Sequence, residues 1–482
     1  MYYMKKNLMF FALLLLSAGG VYAQKKPLDH DAYDAWQRVS ALRLSNDGGL
    51  LVWQVSPQEG DGYLVLRNLK TGKELTIERA SGFDMSEAAD FGVCKISAPF
   101  ALTRQAKIDK KKKDEMPKDT IACINLRTFE LTRIPDASSA ELGFDAAPFI
   151  FVSQEVKDRK DTKSLLVLDT ATGDIDTLKN IASFEVAKSG DKLAVATGKE
   201  KKDSLSKNSV AVYDLAAGTV KELAEGGKAY GGLNDTGDKL VFLSTDQEEK
   251  LDGTPRYSVW LGQEKILKKA TRRTPAVKEF SASVVVPGDC ASLPEGWVIT
   301  KTARPRFSNK SSRLVLNLSE YFPPKDTTLV SFETAGLDIW NWDSYTLPPM
   351  AKAGARKQTR TAVVNLSSAT DLLVLSANAN DRISFSDGAE GDYAISRDSD
   401  PYMLESLWAV NNKSDYSMVD LRDGSRRPLK DALEGTTALS PFGKYMAWFD
   451  PKDGDWYSWN LSTGEMVNLT GVLDVAFFDE ED

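Results

Sequence analysis

LLVLDTATG, at residues 165–173, is an apolar run that ends on Asp169 and places Gly173 four residues later. Asp accepts hydrogen bonds from the backbone just after it, and Gly takes positive φ without a Cβ clash, so the pair closes a tight turn after a strand. The pattern returns in LVLRNLKTG (Asn68, Gly72), VAVYDLAAG (Asp214, Gly218), SMVDLRDG (Asp420, Gly424) and WYSWNLSTG (Asn460, Gly464). IACINLRTF keeps Asn125 but has Phe129 where Gly would stand. Successive markers are roughly 40–57 residues apart, near the period of a propeller blade. A second marker, a turn feeding a strand, precedes several of these runs: LSNDGGLLVW at Ser45, KSGDKLAVA at Lys188, NDTGDKLVFL at Asn234 and LSPFGKYMAW at Leu439. Each unit therefore reads as a β-meander.

Residues 165–168 and 210–213 are apolar at consecutive positions, so both faces of these strands must be covered. Sheets packed between neighbouring sheets meet that need. The predicted class is all-β, a β-propeller of about seven or eight four-stranded blades, with ring closure left open, over residues 41–482. Stacked β-sandwich domains are the alternative. The repeat blurs between Asp214 and Asp420, and long insertions are expected around 105–118 and 262–436. The run LDHDAYDAWQRV, residues 28–39, reads as a short amphipathic helix with Asp29 at its N-cap, within an N-terminal helical segment at 24–40.

The first residues read as an export signal: Lys5 and Lys6, then the apolar stretch LMFFALLLL at 8–16, then a small-residue cleavage site between Ala23 and Gln24. That stretch is shorter than the roughly 20 residues needed to span a bilayer, so no membrane span is expected after signal removal. The expected location is periplasmic or secreted. Sixty-nine acidic against 61 basic side chains give no electrostatic footprint for nucleic acid or an anionic membrane, and neither partner is favoured by the overall charge. Lys110 to Lys113 are bracketed by Asp109, Asp114 and Glu115, and the segment 105–118 reads as a solvated hairpin loop.

One histidine, His30, restricts the chemistry sharply, because any Ser-His-Asp mechanism or His-ligated zinc would have to use it. No G-x-S-x-G occurs. GLNDTGDK, at 232–239, lacks the Lys of a phosphate loop and reads as a turn; DPKDGD, at 450–455, lacks calcium-loop spacing and reads the same way. Glu248 and Glu249 form an acid pair of the kind that binds a substrate amine, and solvation in a polar loop is preferred for them. Cys94, Cys123 and Cys290 allow one disulfide at most; buried free thiols at Cys94 and Cys123 are favoured. No cofactor, metal site or catalytic residue is expected in the chain.

Several stretches resemble the large exported serine peptidases of the prolyl oligopeptidase family. They are the segment 26–74 beginning KPLDHDAYDAWQRV, RPRFSNKSSRLVL at 304–316, PPKDTTLVSFETAGLDIWNWDSYTLPP at 323–349 and WYSWNLSTGEMVNLTG at 456–471. The resemblance implies an N-terminal propeller that covers the active site of a C-terminal α/β-hydrolase domain and admits short peptides. This sequence stops at Asp482, within or just past the propeller, and no catalytic position is carried over. The expected partner is that hydrolase domain, in cis or in trans, with short peptides as substrates of the complete enzyme. A free-standing TolB-like propeller acting as an interaction scaffold is the alternative. Trp340 and Trp342, in DIWNWD, are expected to pack between blades.

Overall fold

The computed structural model describes residues 33, 36–475 and 477, except 144–147, 157–158, 199–207, 226, 229–231, 246, 248–252, 269–276, 331, 334–338, 356–357 and 368–371. The chain divides into two compact units, Met1–Asp136 and Ala137–Asp482. In the first, β1 (Gln37–Leu44), β2 (Leu50–Pro57), β3 (Tyr63–Asn68) and β4 (Glu74–Glu78) form one antiparallel sheet in chain order. β5 (Ala80–Met85), β6 (Phe91–Ile96), β7 (Thr120–Asn125) and β8 (Leu131–Pro135) form the next, with helix α1 (Phe100–Ile108) inserted between β6 and β7.

The second unit repeats this plan. β9 (Ala137–Leu142), β10 (Phe149–Val156), β11 (Arg159–Asp169), β12 (Ile175–Val186), β13 (Lys192–Thr197), β14 (Ser209–Asp214) and β15 (Thr219–Glu225) form a seven-stranded sheet. It is two meanders sharing β12, which pairs with β11 up to Ile181 and with β13 from there on. The turn of direction falls at Asn180, at φ 62°. β16 (Gly227–Lys228), β17 (Lys239–Ser244), β18 (Ser258–Lys268) and β19 (Val277–Val286) follow. Then come β20 (Trp297–Val298), β21 (Arg306–Phe307), β22 (Arg313–Glu320), β23 (Thr359–Asn365) and β24 (Leu372–Val374), with helix α2 (Pro348–Ala355) between β22 and β23. β25 (Asp381–Phe385), β26 (Tyr393–Asp398), β27 (Ser414–Asp420) and β28 (Arg426–Leu433) make another sheet. β29 (Thr437–Leu439), β30 (Tyr445–Asp450), β31 (Asp455–Asn460) and β32 (Met466–Asn468) make the last. The fold class is all-β, with the serial four-stranded meanders of a β-propeller.

Both strand faces are covered, as the consecutive apolar runs require. In β14, Val210 and Val212 enter a core with Leu240, Phe242 and Phe280, while Ala211 enters a different core with Phe151, Leu165 and Leu193. In β17, Leu240 and Phe242 face that first core, whereas Val241 and Leu243 face another with Leu314, Leu316 and Val364. β27 behaves alike: Tyr416 and Met418 point one way, Val419 and Leu421 the other. Within the second unit, these sheets are thus each sandwiched between their two neighbours in the chain.

The sequence markers prove to be the turns of the meander. After the third strand, Asn68 Oδ1 accepts from the amides of Lys70 at 3.0 Å and Thr71 at 2.9 Å, and the Gly72 amide closes on the Asn68 carbonyl. Asn125, Asp169, Asp420 and Asn460 accept in the same way. The residue four further on has positive φ in each case: Gly72 at 73°, Phe129 at 66°, Gly173 at 81°, Gly424 at 76° and Gly464 at 77°. After the first strand, the amide of residue i+3 closes on the carbonyl of Ser45, Ser86, Ala187, Asn234, Ser308, Ser386 or Ser440. Here the positive-φ residues are Gly48, Ala89, Gly190, Gly237, Ser311, Ala389 and Gly443.

One backbone bond ties the two turns of each meander together. Leu69 N–H donates to Gly49 O, Leu126 to Asp90, Thr170 to Pro148, Leu215 to Asp191, Glu264 to Asp238, Leu366 to Ser312, Leu421 to Asp392 and Leu461 to Lys444. The stretch 262–436, expected to hold insertions, carries them between β22 and β23 and between β26 and β27, and the strands on either side form regular meanders. Its repeat was hidden because Ser311 and Ala389 replace Gly at the positive-φ position. The N-terminal helical segment also ends sooner than expected: Tyr33 is helical, but Val39 already pairs with Val55 within β1. His30 and the proposed cleavage site lie outside the described residues.

The cysteine register settles their geometry. Val93 pairs with Cys123 and Cys94 with Ala122, so the two sulfurs leave opposite faces of the sheet, and a disulfide between them is not formed. Burial pushes both thiols up to about 12. Neither should react with a maleimide in the native protein, and both should react once it is unfolded in denaturant, as counted by intact mass.

Phe129 holds a left-handed backbone while its ring is buried under Lys73, 5.3 Å from the ring centroid. Burial of a Phe side chain is worth about 1.5–3 kcal/mol, more than the ~1–2 kcal/mol of left-handed strain. Phe129→Gly should therefore destabilise, but by about 1 kcal/mol less than Phe129→Ala, which loses the ring and keeps the strain. Phe242, fully buried and stacked on Trp260, should cost about 3–5 kcal/mol as Ala in denaturant unfolding.

Candidate functional site

Insertions leave the meanders of the second unit between their second and third strands. One runs from β22 to β23 and carries α2; the other, residues 399–413, joins β26 to β27. Both grow from rigid anchors. Asp381, at the start of β25, has no exposed side-chain surface, pairs with Arg426, and accepts from Ser396 Oγ at 2.6 Å and the Ala377 amide at 2.7 Å. Arg360 donates to the carbonyls of Ser376 at 2.7 Å and Ala377 at 2.8 Å and lies over the Trp297 ring. These bonds fix the short segment 376–380 between β24 and β25.

That segment joins the two insertions. Asn380 Nδ2 donates to Asp400 Oδ1 at 2.7 Å, in the second insertion, and to Tyr345 Oη at 3.4 Å, in the first. Asn378 binds Asp398 at 2.9 Å. The second insertion is pinned further by Tyr402 Oη donating to Asp415 at 2.6 Å and by Lys413 with Glu405 at 2.6 Å. The Asp415 bond, with burial behind it, pushes the Tyr402 hydroxyl up to about 12.

On this polar frame stands an apolar surface. Trp342 is 88% exposed, Phe332 87% and Trp340 64% on the first insertion; Trp408 is 69% and Val410 99% exposed on the second. Ile339, Met350 and Leu407 add to it. The expectation that Trp340 and Trp342 pack between blades is thus corrected: they lie in a connection outside the meander, where no neighbouring sheet covers them. Large apolar side chains exposed on two insertions that one asparagine ties together are candidates for an interaction site. The expected insertions within 262–436 include the second one, but sequence reasoning did not single out its residues, although LESLWAVNN at 404–412 offers Trp and Val with no strand alternation to absorb them.

Two other groupings of ionisable side chains stand in the second unit. Glu141 in β9 and Glu185 in β12 occupy the first strands of successive meanders. The space left by the missing side chain of Gly232 is filled by the Glu185 carboxyl. Burial, then the charge of Glu141, pushes Glu185 up to about 7; burial raises Glu141 while Lys163 opposes it. No sequence pattern announces this pair, since the two residues are distant in the chain and each reads as an ordinary strand carboxylate.

The second grouping lines a cleft of about 150 Å³ between β13–β15 and β18–β19. Lys192, with its side chain almost wholly buried, pairs with Asp214 and lies 3.6 Å from Glu264, which also binds Lys278 at 2.9 Å; Lys221 pairs with Glu279. Burial works against ionisation of Asp214, but bonds from Lys192 and the Ala217 amide outweigh it and hold the carboxyl below its usual range. Each charge here already has its counter-ion, so the cleft is a structural seam. The turns at 232–239 and 450–455 are as expected: Gly237 and Gly454 have positive φ, and Asp450 accepts from the Lys452 amide and pairs with Lys430. Glu248 and Glu249 lie outside the described residues.

No family model and no curated protein matches the chain. Among solved structures, the β-propeller domain of the Trilobed protease from Pyrococcus furiosus is similar over 82% of this chain and 99% of its own, at 10% identity and a TM-score of 0.31. A eukaryotic initiation factor is similar over 90% and 88%, at 12% identity and a TM-score of 0.42. A prolyl endopeptidase is similar over 93% of this chain and 60% of its own, at 10% identity and a TM-score of 0.35. At such identities the likeness concerns the fold alone, and the meander topology itself carries the assignment of class.

Glu185 gives a pH test. A carboxyl whose folded value, about 7, lies above its ordinary 4.5 contributes stability that is present below 4.5 and lost as pH rises through 7. Glu185→Gln should flatten the fall in melting temperature across that window and leave the melting temperature at acid pH unchanged.

Proposed function

We propose that the chain is the non-catalytic propeller portion of a prolyl oligopeptidase-like serine peptidase, its eight meanders standing as blades that gate the access of short peptides to an α/β-hydrolase domain. The exposed aromatic surface carries this reading. Phe332, Ile339, Trp340 and Trp342 lie on the stretch 323–349, one of those that resemble the peptidase family, and the two tryptophans are spent on display rather than on a blade core. Aromatic side chains presented on a fixed frame are the usual centre of a protein interface, where they supply area at small cost in rotamer entropy. The hydrolase domain, in cis in a longer product or in trans, is the partner that the resemblance names, and export to the periplasm or beyond fits the proposed signal at Ala23 and Gln24.

The test is to capture the native protein from the producing cells with an antibody to the propeller and to treat it with a fluorophosphonate probe of active serines. A labelled serine on the same polypeptide or on a tightly bound chain is expected. With a photo-crosslinker at position 342, the crosslink should reach the labelled domain. An unlabelled capture whose crosslinks go to proteins without a reactive serine would replace this reading with the TolB-like scaffold. The variant Trp340→Ser/Trp342→Ser/Trp408→Ser should change stability by no more than about 0.5 kcal/mol per site, since none of the three is buried, while abolishing the crosslink from a neighbouring position.

A further inference from the structure

The connection between β6 and β7, in the first unit, carries a concentration of charge that the fold does not use. Arg104, Lys107, Lys110, Lys111, Lys112 and Lys113 are all exposed, and none of them takes part in an ion pair among the described residues. Elsewhere in this unit four cations are neutralised, Arg43 by Asp84, Lys70 by Asp47, Lys95 by Asp119 and Arg127 by Asp90, while Arg38, Arg67, Lys73 and Arg133 stand singly along the strands and turns. Three carboxylates share the segment, and two of them are turned back on the backbone or its neighbours. Asp109 accepts from Gln105 at 2.8 Å, and Glu115 accepts from the Lys112 amide at 3.2 Å; Asp114 is the third. Over residues 104–115 the cations therefore outnumber the acids six to three, and over the whole connection, with Lys118 and Asp119, seven to four, on a chain whose formal net charge is −8.

The segment is also ordered and partly apolar. α1 starts after Pro99, with the Phe100 amide donating to Asp61 at 3.0 Å, and Ala106 is its buried anchor. The chain then reverses at Lys110, at φ 51°, and the Lys111 amide returns to the Ala106 carbonyl at 3.0 Å. Leu102 is 58% and Ile108 55% exposed, beside the lysines. Lysines are point charges on flexible stems, suited to a diffuse anionic surface, where Arg forks would mark paired recognition of single groups.

From this charge complementarity we propose that the β6–β7 connection docks the protein on an anionic phospholipid surface, with Lys107 and Lys110 to Lys113 at the headgroup phosphates and Leu102 and Ile108 entering the interface. This proposal is independent of the peptidase reading. Lysines near an anionic bilayer act additively, and exposed aliphatic side chains supplement them. The arrangement confers reversible attachment that salt weakens.

The test uses the full chain with vesicles of phosphatidylglycerol and phosphatidylethanolamine in equal parts, and with vesicles of phosphatidylcholine alone, in flotation assays over a salt series. The comparison is between the native sequence and Lys110→Glu/Lys111→Glu/Lys112→Glu/Lys113→Glu, which share the same N-terminal apolar stretch, so that any difference reports on the connection. The charge-reversed chain should float with the anionic vesicles at least about tenfold more weakly, and Ile108→Ser should weaken binding less. Equal melting curves would show that the variants fold alike, since every substituted side chain is exposed. Equal flotation of native and reversed chains would overturn the proposal. So would binding that is the same on neutral and anionic vesicles, or binding of the native chain to heparin or RNA with none to vesicles.

Discussion

Alternate residues of a single strand belong to two different hydrophobic cores, and the rest of the structure depends on that constraint. Val210 and Val212 face one neighbour and Ala211 the other; Leu240 and Phe242 face one, Val241 and Leu243 the other. A strand buried on both faces cannot slip by one residue and trade a core face for a solvent face, because neither face is polar. It can still slip by two, and the turns prevent this. Asp or Asn side chains close the turn after the third strand, and one amide just beyond it reaches the turn after the first. Sheets fixed in this way stack in series, and polar or functional chemistry is left to the connections.

The connections are where this protein departs from uniformity. Between second and third strands it carries a cationic helix-containing segment in the first unit and two aromatic insertions in the second. The insertions are held by buried polar anchors that most of the chain lacks: Asp381 with Arg426, and Arg360 on the carbonyls of Ser376 and Ala377. A charge with no exposed side-chain surface is costly unless it is paired and bonded, and Asp381 meets both conditions. Its position beneath the segment that links Tyr345 and Asp400 gives the display of Trp340, Trp342 and Trp408 a fixed base.

Much of the fold was legible because its turns need particular side chains. Where the positive-φ position holds Gly, as at Gly48, Gly190, Gly237 and Gly443, the repeat can be read directly; where it holds Ala89, Ser311 or Ala389, the same turn forms without its signature. That is why the repeat blurs through residues 262–436, around the two insertions that the stretch does carry. Phe129 was recognised as a departure, and its backbone takes the left-handed conformation all the same, with ring burial offsetting the strain. Trp340 and Trp342 were misassigned because hydrophobicity alone does not distinguish a core position from a displayed one; only the placement of the surrounding connection does. The Glu141–Glu185 proximity was invisible for a related reason, since it arises from the stacking of successive meanders and leaves no local pattern.

The central claim is that the meanders with and without legible markers are one repeated unit, held by one repeated bond. Hydrogen exchange of the full chain tests this at the amides of Leu69, Leu126, Thr170, Leu215, Glu264, Leu366, Leu421 and Leu461. The account predicts that Leu366 and Leu421, whose first turns lack Gly, exchange as slowly as Leu69 and Leu461, in the class of the buried strands. Rapid exchange at Leu366 and Leu421, with protection at the others, would mean that the blurred region is a different structure, and would contradict it.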